Sequence, residues 1–278
     1  MREVHNSTAA RTTVLGIAGG VVGRAVGRVV ERSLRRRGRS QLLSAVTSCV
    51  EDWGWPVVPG AAAHGAGAHG GVAPCGCPRP DCPTPGAHPH DPPLLAATTD
   101  VRMVRWWWQR RPDAPIVVAT GGAVSAVSLP VAAGQRALAY FDTLRVPTGP
   151  VIATPSRYVL LVAPYTMPEL AELLVAQEWV PTSLRFHGTG GYVLLPPSRT
   201  GAGALRWVRE PRTLGAAAPA ESPAEGGGGG EPAGAAADGS TGTQTGSGGA
   251  PWLPTVSELL EALVAASVAT PDGARLAY

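Results

Sequence analysis

The chain has 278 residues, a formal net charge of +3 and a hydrophobic fraction of 44%, enough for one core domain of about 150–200 residues plus tails. With 36 Gly, 28 Pro and 15% charged residues, part of the chain is expected to lack the composition of a packed core. No run of 18 apolar residues is present, which excludes an ordinary transmembrane helix; four Cys, three of them in one loop, exclude a secreted disulfide framework, so a cytoplasmic protein is expected.

Residues 1–39 read as a basic, partly helical tail, with nine Arg against Glu3 and Glu31, so the remainder is net acidic. Arg24, Arg28 and Arg32 recur every fourth position beside Val22, Val26 and Val29, an amphipathic pattern. Gly19, Gly23 and Gly27 weaken that helix. Arg35, Arg36, Arg37 and Arg39 form a patch suited to nucleic acid or an anionic lipid surface, or else a solvated tail.

A folded domain is expected over 40–212. Leu42, Val46, Cys49, Val50 and Trp53 share one helical face, Ser40 can cap that helix, and Gly54 stands just past its end. Trp55–Val58 reads as a strand. Residues 59–97 form a loop too long to lie structureless in a compact domain unless something ties it down. Thr98-Thr99-Asp100 opens a short helix carrying Met103, Val104, Trp107 and Trp108 inward, ended at Arg111-Pro112. Consecutive Trp106, Trp107 and Trp108 project about 100° apart, so at most two face one core.

Further along, Ile116–Ala119 and Val124–Leu129 read as strands around a Gly121-Gly122 turn. Gln135–Arg145 is helical with Leu138, Phe141 and Leu144 on one side. Val151–Ala153, Tyr158–Val162, Tyr192–Leu195 and Leu205–Val208 supply more strands. Thr166 and Glu169 form a capping box before Leu170, Leu173 and Leu174. The order predicts an α+β (α/β) domain, a mixed sheet with flanking helices. Residues 213–250 are expected to be a Gly/Ala/Pro-rich linker without a fold of its own. Over 251–278, Thr255 and Glu258 cap a short amphipathic helix with Leu259, Leu260, Leu263 and Val264 as its stripe, which must dock on its own domain or on a protein partner.

The most chemically specific cluster is Cys75, Cys77, Cys82 and His88, with His90 an alternative fourth ligand. Three thiolates and an imidazole suit a closed, structural Zn2+ site, and coordination would supply the ordering that loop 59–97 otherwise lacks. Free surface thiols and a disulfide are the alternatives. His64 and His69 are expected to be exposed bystanders.

Gly54-Trp-Pro-Val57, Cys75–Pro89 ending in Pro85-Gly-Ala-His-Pro89, Ala97-Thr-Thr-Asp100, Arg105-Trp-Trp107, Arg111-Pro-Asp-Ala114, Ala119-Thr-Gly121 and Gly190–Ser198 follow one another in an order that resembles the N-terminal domain of bifunctional DNA primase/polymerases, within the archaeo-eukaryotic primase superfamily. The cysteine loop resembles the form in actinobacterial members. The resemblance covers roughly 40–209 and implies a primase/polymerase-like sheet, a zinc-stapled loop and phosphoryl transfer from nucleoside triphosphates. It also implies an Asp-x-Asp pair on the strand after the Thr-Gly turn, a third acid further on, and a His in a small-x-His strand.

In this chain the acid pair falls on Ser128 and Pro130, and Arg185 stands near the third position. Thr154–Leu161 occupies the small-x-His strand and has no His. Mg2+ is held by hard oxygen donors, so Mg2+ binding and polymerisation are not expected. The expected function is non-catalytic binding of single-stranded nucleic acid or a nucleotide, with Arg102, Arg105, Arg110, Arg111, Arg157 and Arg185 on phosphates and exposed Trp on bases. The alternatives are an active primase/polymerase with unconventional acids, and a scaffold or adaptor using the C-terminal helix and the Arg-rich N-terminus. Gly188–Gly191, with no following Lys, reads as a turn and not a phosphate loop; His187 lacks a nucleophile at readable spacing and reads as structural.

Overall fold

The computed structural model describes residues 16–64, 73–177, 179–213 and 249–269, without the side chains of 16–32 and 35. His69, Glu178, residues 1–15 and nearly all of the expected linker lie outside the described residues. The chain divides into two units, the second beginning at Leu42. Helix α1 spans Gly16–Glu51 and is continuous through Ser40, which corrects the expected cap there. The preceding Arg, Val and Leu residues are tolerable helix formers, and no proline interrupts them, so nothing stops the helix at that point. Arg36, Arg37 and Arg39 are exposed on it.

In the second unit, β1 (Val57–Pro59), β2 (Ile116–Ala119) and β7 (Tyr192–Leu195) form an antiparallel sheet in the order β1-β2-β7. A second antiparallel sheet has the order β10-β4-β5-β3-β6. Its strands are β3 (Ser125–Pro130), β4 (Val151–Ala153), β5 (Arg157–Val162), β6 (Arg185–His187) and β10 (Arg206–Arg209). Strands β8 (Arg199–Thr200) and β9 (Gly203–Ala204) make a small hairpin.

Successive strand residues point to opposite faces, and the five-stranded sheet separates two cores accordingly. Ala126, Val159 and Leu161 join the end of α1, helix α2 (Val101–Arg110) and the three-stranded sheet. Val127, Leu129, Leu160 and Val162 face helices α3 (Val131–Leu144), α4 (Met167–Val175) and α5 (Val256–Val268).

Asp100 caps α2, its Oδ1 accepting from the backbone N–H of Arg102 at 2.8 Å and Met103 at 3.3 Å. Trp107 and Trp108 are buried, the latter donating from Nε1 to Ala114 O at 3.1 Å. Trp106 stays outside, as 100° spacing requires. Met103 was expected inside but is 44% exposed, because it lies one step off the stripe of Val104, Trp107 and Trp108. Helix α3 starts at Val131, four residues before expectation, since Pro130 ends β3 and immediately serves as N-cap. Leu144 is exposed, not inward, being the last helical residue before Arg145 turns left-handed at φ 54°.

Helix α5 settles where its stripe goes. Leu259, Leu260 and Leu263 are buried on the chain's own second core, each burial contributing roughly 1.5–3 kcal/mol. Its capping box is formed, with Thr255 accepting from Glu258 N–H and Glu258 Oε2 accepting from Thr255 N–H. The segment before it is stitched down by a Thr213–Pro251 bridge and by Ala163 N–H donating to Pro254 O at 2.8 Å. Among the described residues, no helix is long and apolar enough to cross a membrane.

Candidate functional site

Two constellations stand out, one in the cysteine loop and one at the middle of the five-stranded sheet. The loop is tied at its base by bridges Gly60–Pro89 and Ala63–Cys75. Farther out, Tyr192 Oη donates to Ala87 O at 3.1 Å and Gly201 N–H to Pro85 O at 2.7 Å. Gly86 has φ +74°, and a Cβ there would meet Thr200 Cα at 2.9 Å. The Pro-Gly-Ala-His-Pro segment therefore needs glycine to press against the β8–β9 hairpin while turning His88 inward.

The ligand atoms of Cys75, Cys77, Cys82 and His88 all lie within 4.8 Å of one another. Sγ of Cys75 and of Cys82 each stand 3.3 Å from His88 Nε2. Tetrahedral zinc, with bonds of about 2.3 Å to sulfur and 2.0 Å to nitrogen, places those atoms about 3.5 Å apart, so the arrangement is compatible with such an ion. His88 Nδ1 lies 2.8 Å from Pro89 O, a bond that fixes Nδ1 as donor and leaves the Nε2 lone pair for a metal. Burial raises the Cys75 thiol, but hydrogen bonds from the Gly86 and Cys77 backbone lead the effects that outweigh it and bring it down to about 6. Cys82 is held up by burial and by its neighbours Cys75 and Cys77. Crowded thiols resist joint ionisation, and a dication removes that resistance. His88, not the exposed His90, joins the cluster, and His64 stays exposed outside it.

At the sheet centre, Ser128 on β3 lies opposite Val159 on β5 and Arg185 on β6, while Pro130 lies opposite Arg157. His187 lies opposite Ala126. Period-two alternation thus puts Ser128, Arg157, Arg185 and His187 on one face. Arg157 Nε donates to Ser128 Oγ at 3.1 Å, and its Nη2 donates to Ser128 O at 2.7 Å and Ser183 O at 2.6 Å. Ser128 Oγ is 2.9 Å from His187 Nε2. With one hydrogen and two lone pairs, that oxygen accepts from Arg157 and bonds His187 Nε2 at the same time. Burial, then Arg157 and Arg185, push His187 down to about 4, so the ring is neutral at pH 7. Burial, then Arg185, lower Arg157 to about 10.

His187 therefore does have a hydroxyl partner, 59 residues upstream and invisible as spacing; only the pairing of β3 with β6 creates it. The sequence reading also missed β6 itself, whose Arg-Phe-His alternation carries no β-branched residue. Among the described residues, Cys75, Cys77, Cys82 and His88 are the only grouping of three or more His, Cys, Asp or Glu close enough to share an ion. No carboxylate among the described residues pairs with Arg157 or Arg185.

The other arginines singled out by sequence sit apart, on or just after α2. Arg105 pairs with Glu51 at 3.1 Å, Arg111 with Asp91 at 3.6 Å, and Arg110 stacks 3.9 Å from the Trp106 ring centroid. Arg102 is exposed. A cavity of about 890 Å³ opens elsewhere, beside Trp207, Trp252 and Arg212; its Arg209 is neutralised by Asp142.

Several motif residues prove to be scaffold. Thr98 exchanges backbone hydrogen bonds with Val57. Thr120 Oγ1 donates to Gly188 O at 2.7 Å. Gly121, at φ +98°, packs so close to Thr189 that a Cβ would sit 2.3 Å from its Cα. The Ala-Thr-Gly turn and the Gly188–Gly191 turn thus lock together, which accounts for the glycines without any phosphate.

No curated protein and no solved structure matches the chain. The family model for the N-terminal domain of bifunctional DNA primase/polymerases matches residues 47–225, spanning both constellations. The match covers more than half of the chain, and the chain belongs to the bifunctional DNA primase/polymerase N-terminal family.

Proposed function

We propose that the protein is a primase/polymerase-like module that binds single-stranded nucleic acid or a nucleotide without polymerising it. The observation that carries this reading is the sheet centre. The family resemblance implies an acid pair at Ser128 and Pro130, and Arg185 stands across from Ser128. Two-metal phosphoryl transfer needs carboxylates to hold the ions, whereas a hydroxyl, a proline ring and guanidiniums repel or ignore them.

The cysteine cluster is read as a structural zinc site. All four tetrahedral positions are filled by protein, and no open position is left for substrate. Residues Arg102, Arg105, Arg110 and Arg111, with Trp106 exposed beside them, are read as a stacking and phosphate-contacting surface. Glu51 and Asp91 offset part of that charge, which points to modest affinity. The adaptor reading is disfavoured because the apolar stripe of α5 is covered by the chain's own core.

Fluorescence anisotropy with a labelled single-stranded oligonucleotide tests the reading. Binding should weaken steeply between 50 and 200 mM salt, roughly in proportion to the phosphates contacted, and Arg102→Gln with Arg110→Gln should reduce the slope. Binding that ignores salt, or no binding to oligonucleotide or nucleotide, contradicts it.

A further inference from the structure

Arg157 and Arg185 lie on one face of β5-β3-β6 with no counter-ion among the described residues. Among the described residues, the hydrogen-bond partners of Arg157 are neutral: the Ser128 hydroxyl and the carbonyls of Ser128 and Ser183. These three bonds use Nε and Nη2 and hold the guanidinium rigidly, with Nη1 left over. Arg185 is exposed on β6, across β3 from Arg157, and among the described residues makes no ion pair. A partly buried guanidinium facing another without an acid is an unfavourable arrangement in isolation. Arg105, Arg111 and Arg209, by contrast, each pair with a carboxylate. Two guanidiniums thus share one face of the sheet, and burial first, then both of them, lower the pKa of His187 beside them.

We propose that this centre holds a phosphate group directly, without a divalent metal, using Arg185 and the free edge of Arg157. The proposal rests on the non-catalytic reading of the centre. A guanidinium presents its N–H groups in a planar fork that matches two phosphate oxygens. Arg157 is already positioned by Ser128 and Ser183, so little conformational freedom is lost when the anion arrives. Ser128 serves as a positioning residue, its hydroxyl spent between Arg157 and His187. In a two-metal enzyme a cation bridges carboxylates and phosphate oxygens; here the cations belong to the protein. Added Mg2+ would be repelled by the centre and would compete with it for the phosphate oxygens. The phosphate has two sources with the same chemistry, the polyphosphate of a nucleotide and the phosphodiester of a single strand.

The test is calorimetric titration of the full chain with dATP and, separately, with a short oligo-dT. Divalent cations are removed from the buffer by resin, because EDTA would also attack the cysteine cluster. At least one probe should bind without metal, and the tighter one names the source. Arg185→Gln should weaken that binding about tenfold and Arg185→Glu further, in keeping with loss of a charge-assisted contact. Mg2+ equimolar with dATP should not strengthen binding. Arg185 is exposed, so these variants should fold; matching thermal midpoints verify this, while Arg157→Lys gives a second readout at the anchored position. Binding that requires Mg2+, binding equal in wild type and Arg185→Glu, or no metal-free binding of either probe overturns the proposal. Primer elongation by the same preparation would instead defeat the non-catalytic reading, leaving the metal-free titration to judge the phosphate site on its own.

Discussion

The cysteine loop and the sheet centre are two polar constellations built by opposite routes. In the loop, four ligands from a 14-residue stretch converge with compatible spacing, and each finds a neighbour of the right chemistry. At the sheet centre, residues from 128 to 187 converge only because β5 and β6 flank β3, and the cationic groups gathered there meet no opposing charge among the described residues. The loop thus has a donor set that suits a cation, and the sheet centre a set that suits an anion.

Four measurements break or sharpen that contrast, in descending order of effect. The largest effect is expected at the loop. Cys82→Ser should abolish metal retention, read by elemental analysis against one zinc per chain in the wild type, and should cost several kcal/mol of stability. Unchanged metal content and thermal midpoint would remove zinc from the account. Next, Leu263→Ala in the core behind the sheet should cost about 2–5 kcal/mol in urea unfolding, because Leu263 is fully buried; a cost below 1 kcal/mol would mean that α5 is not docked there in solution.

The third reports on the cationic centre. An unfolded histidine takes up its proton near pH 6.5, while folded His187 holds off until about 4. In that window the unfolded state binds more protons, so stability falls as pH drops from about 6.5 towards 4, by up to about 3 kcal/mol. The slope between pH 6.5 and 5 should flatten in His187→Gln, which keeps a hydrogen-bonding side chain; an identical slope would mean that burial and the two arginines do not hold His187 below its ordinary range. The smallest is a local control: Asp100→Ala should cost about 1 kcal/mol through loss of the α2 cap, leaving metal content and ligand binding unchanged.

The contrast also explains what could be read from the sequence. Ligand spacing within a loop is a local property, so Cys75, Cys77, Cys82 and His88 were legible, and only the choice between His88 and His90 needed the fold. Capping boxes at Thr166 and Thr255 were legible for the same reason. The burial of Trp107 and Trp108 with Trp106 outside followed from helical geometry alone. By contrast, the Ser128–His187 contact depends on register across 59 residues, which no periodicity reports. Ser40 misled because a good capping residue is equally tolerated inside a long helix, and Met103 because one residue of error rotates a side chain by about 100°. The docking of α5 was undecidable in advance: an apolar stripe states that something covers it, and the identity of the cover lies in α3 and the sheet.

The most direct test of the central claim is primer extension on a single-stranded template with all four deoxynucleotides, run with Mg2+ and with Mn2+. A centre built from Ser128, Arg157, Arg185 and His187 predicts no incorporation with either ion, even at high enzyme concentration. Template-directed product that disappears in an Arg157 or Ser128 variant would contradict it and show that carboxylates reach this site after all.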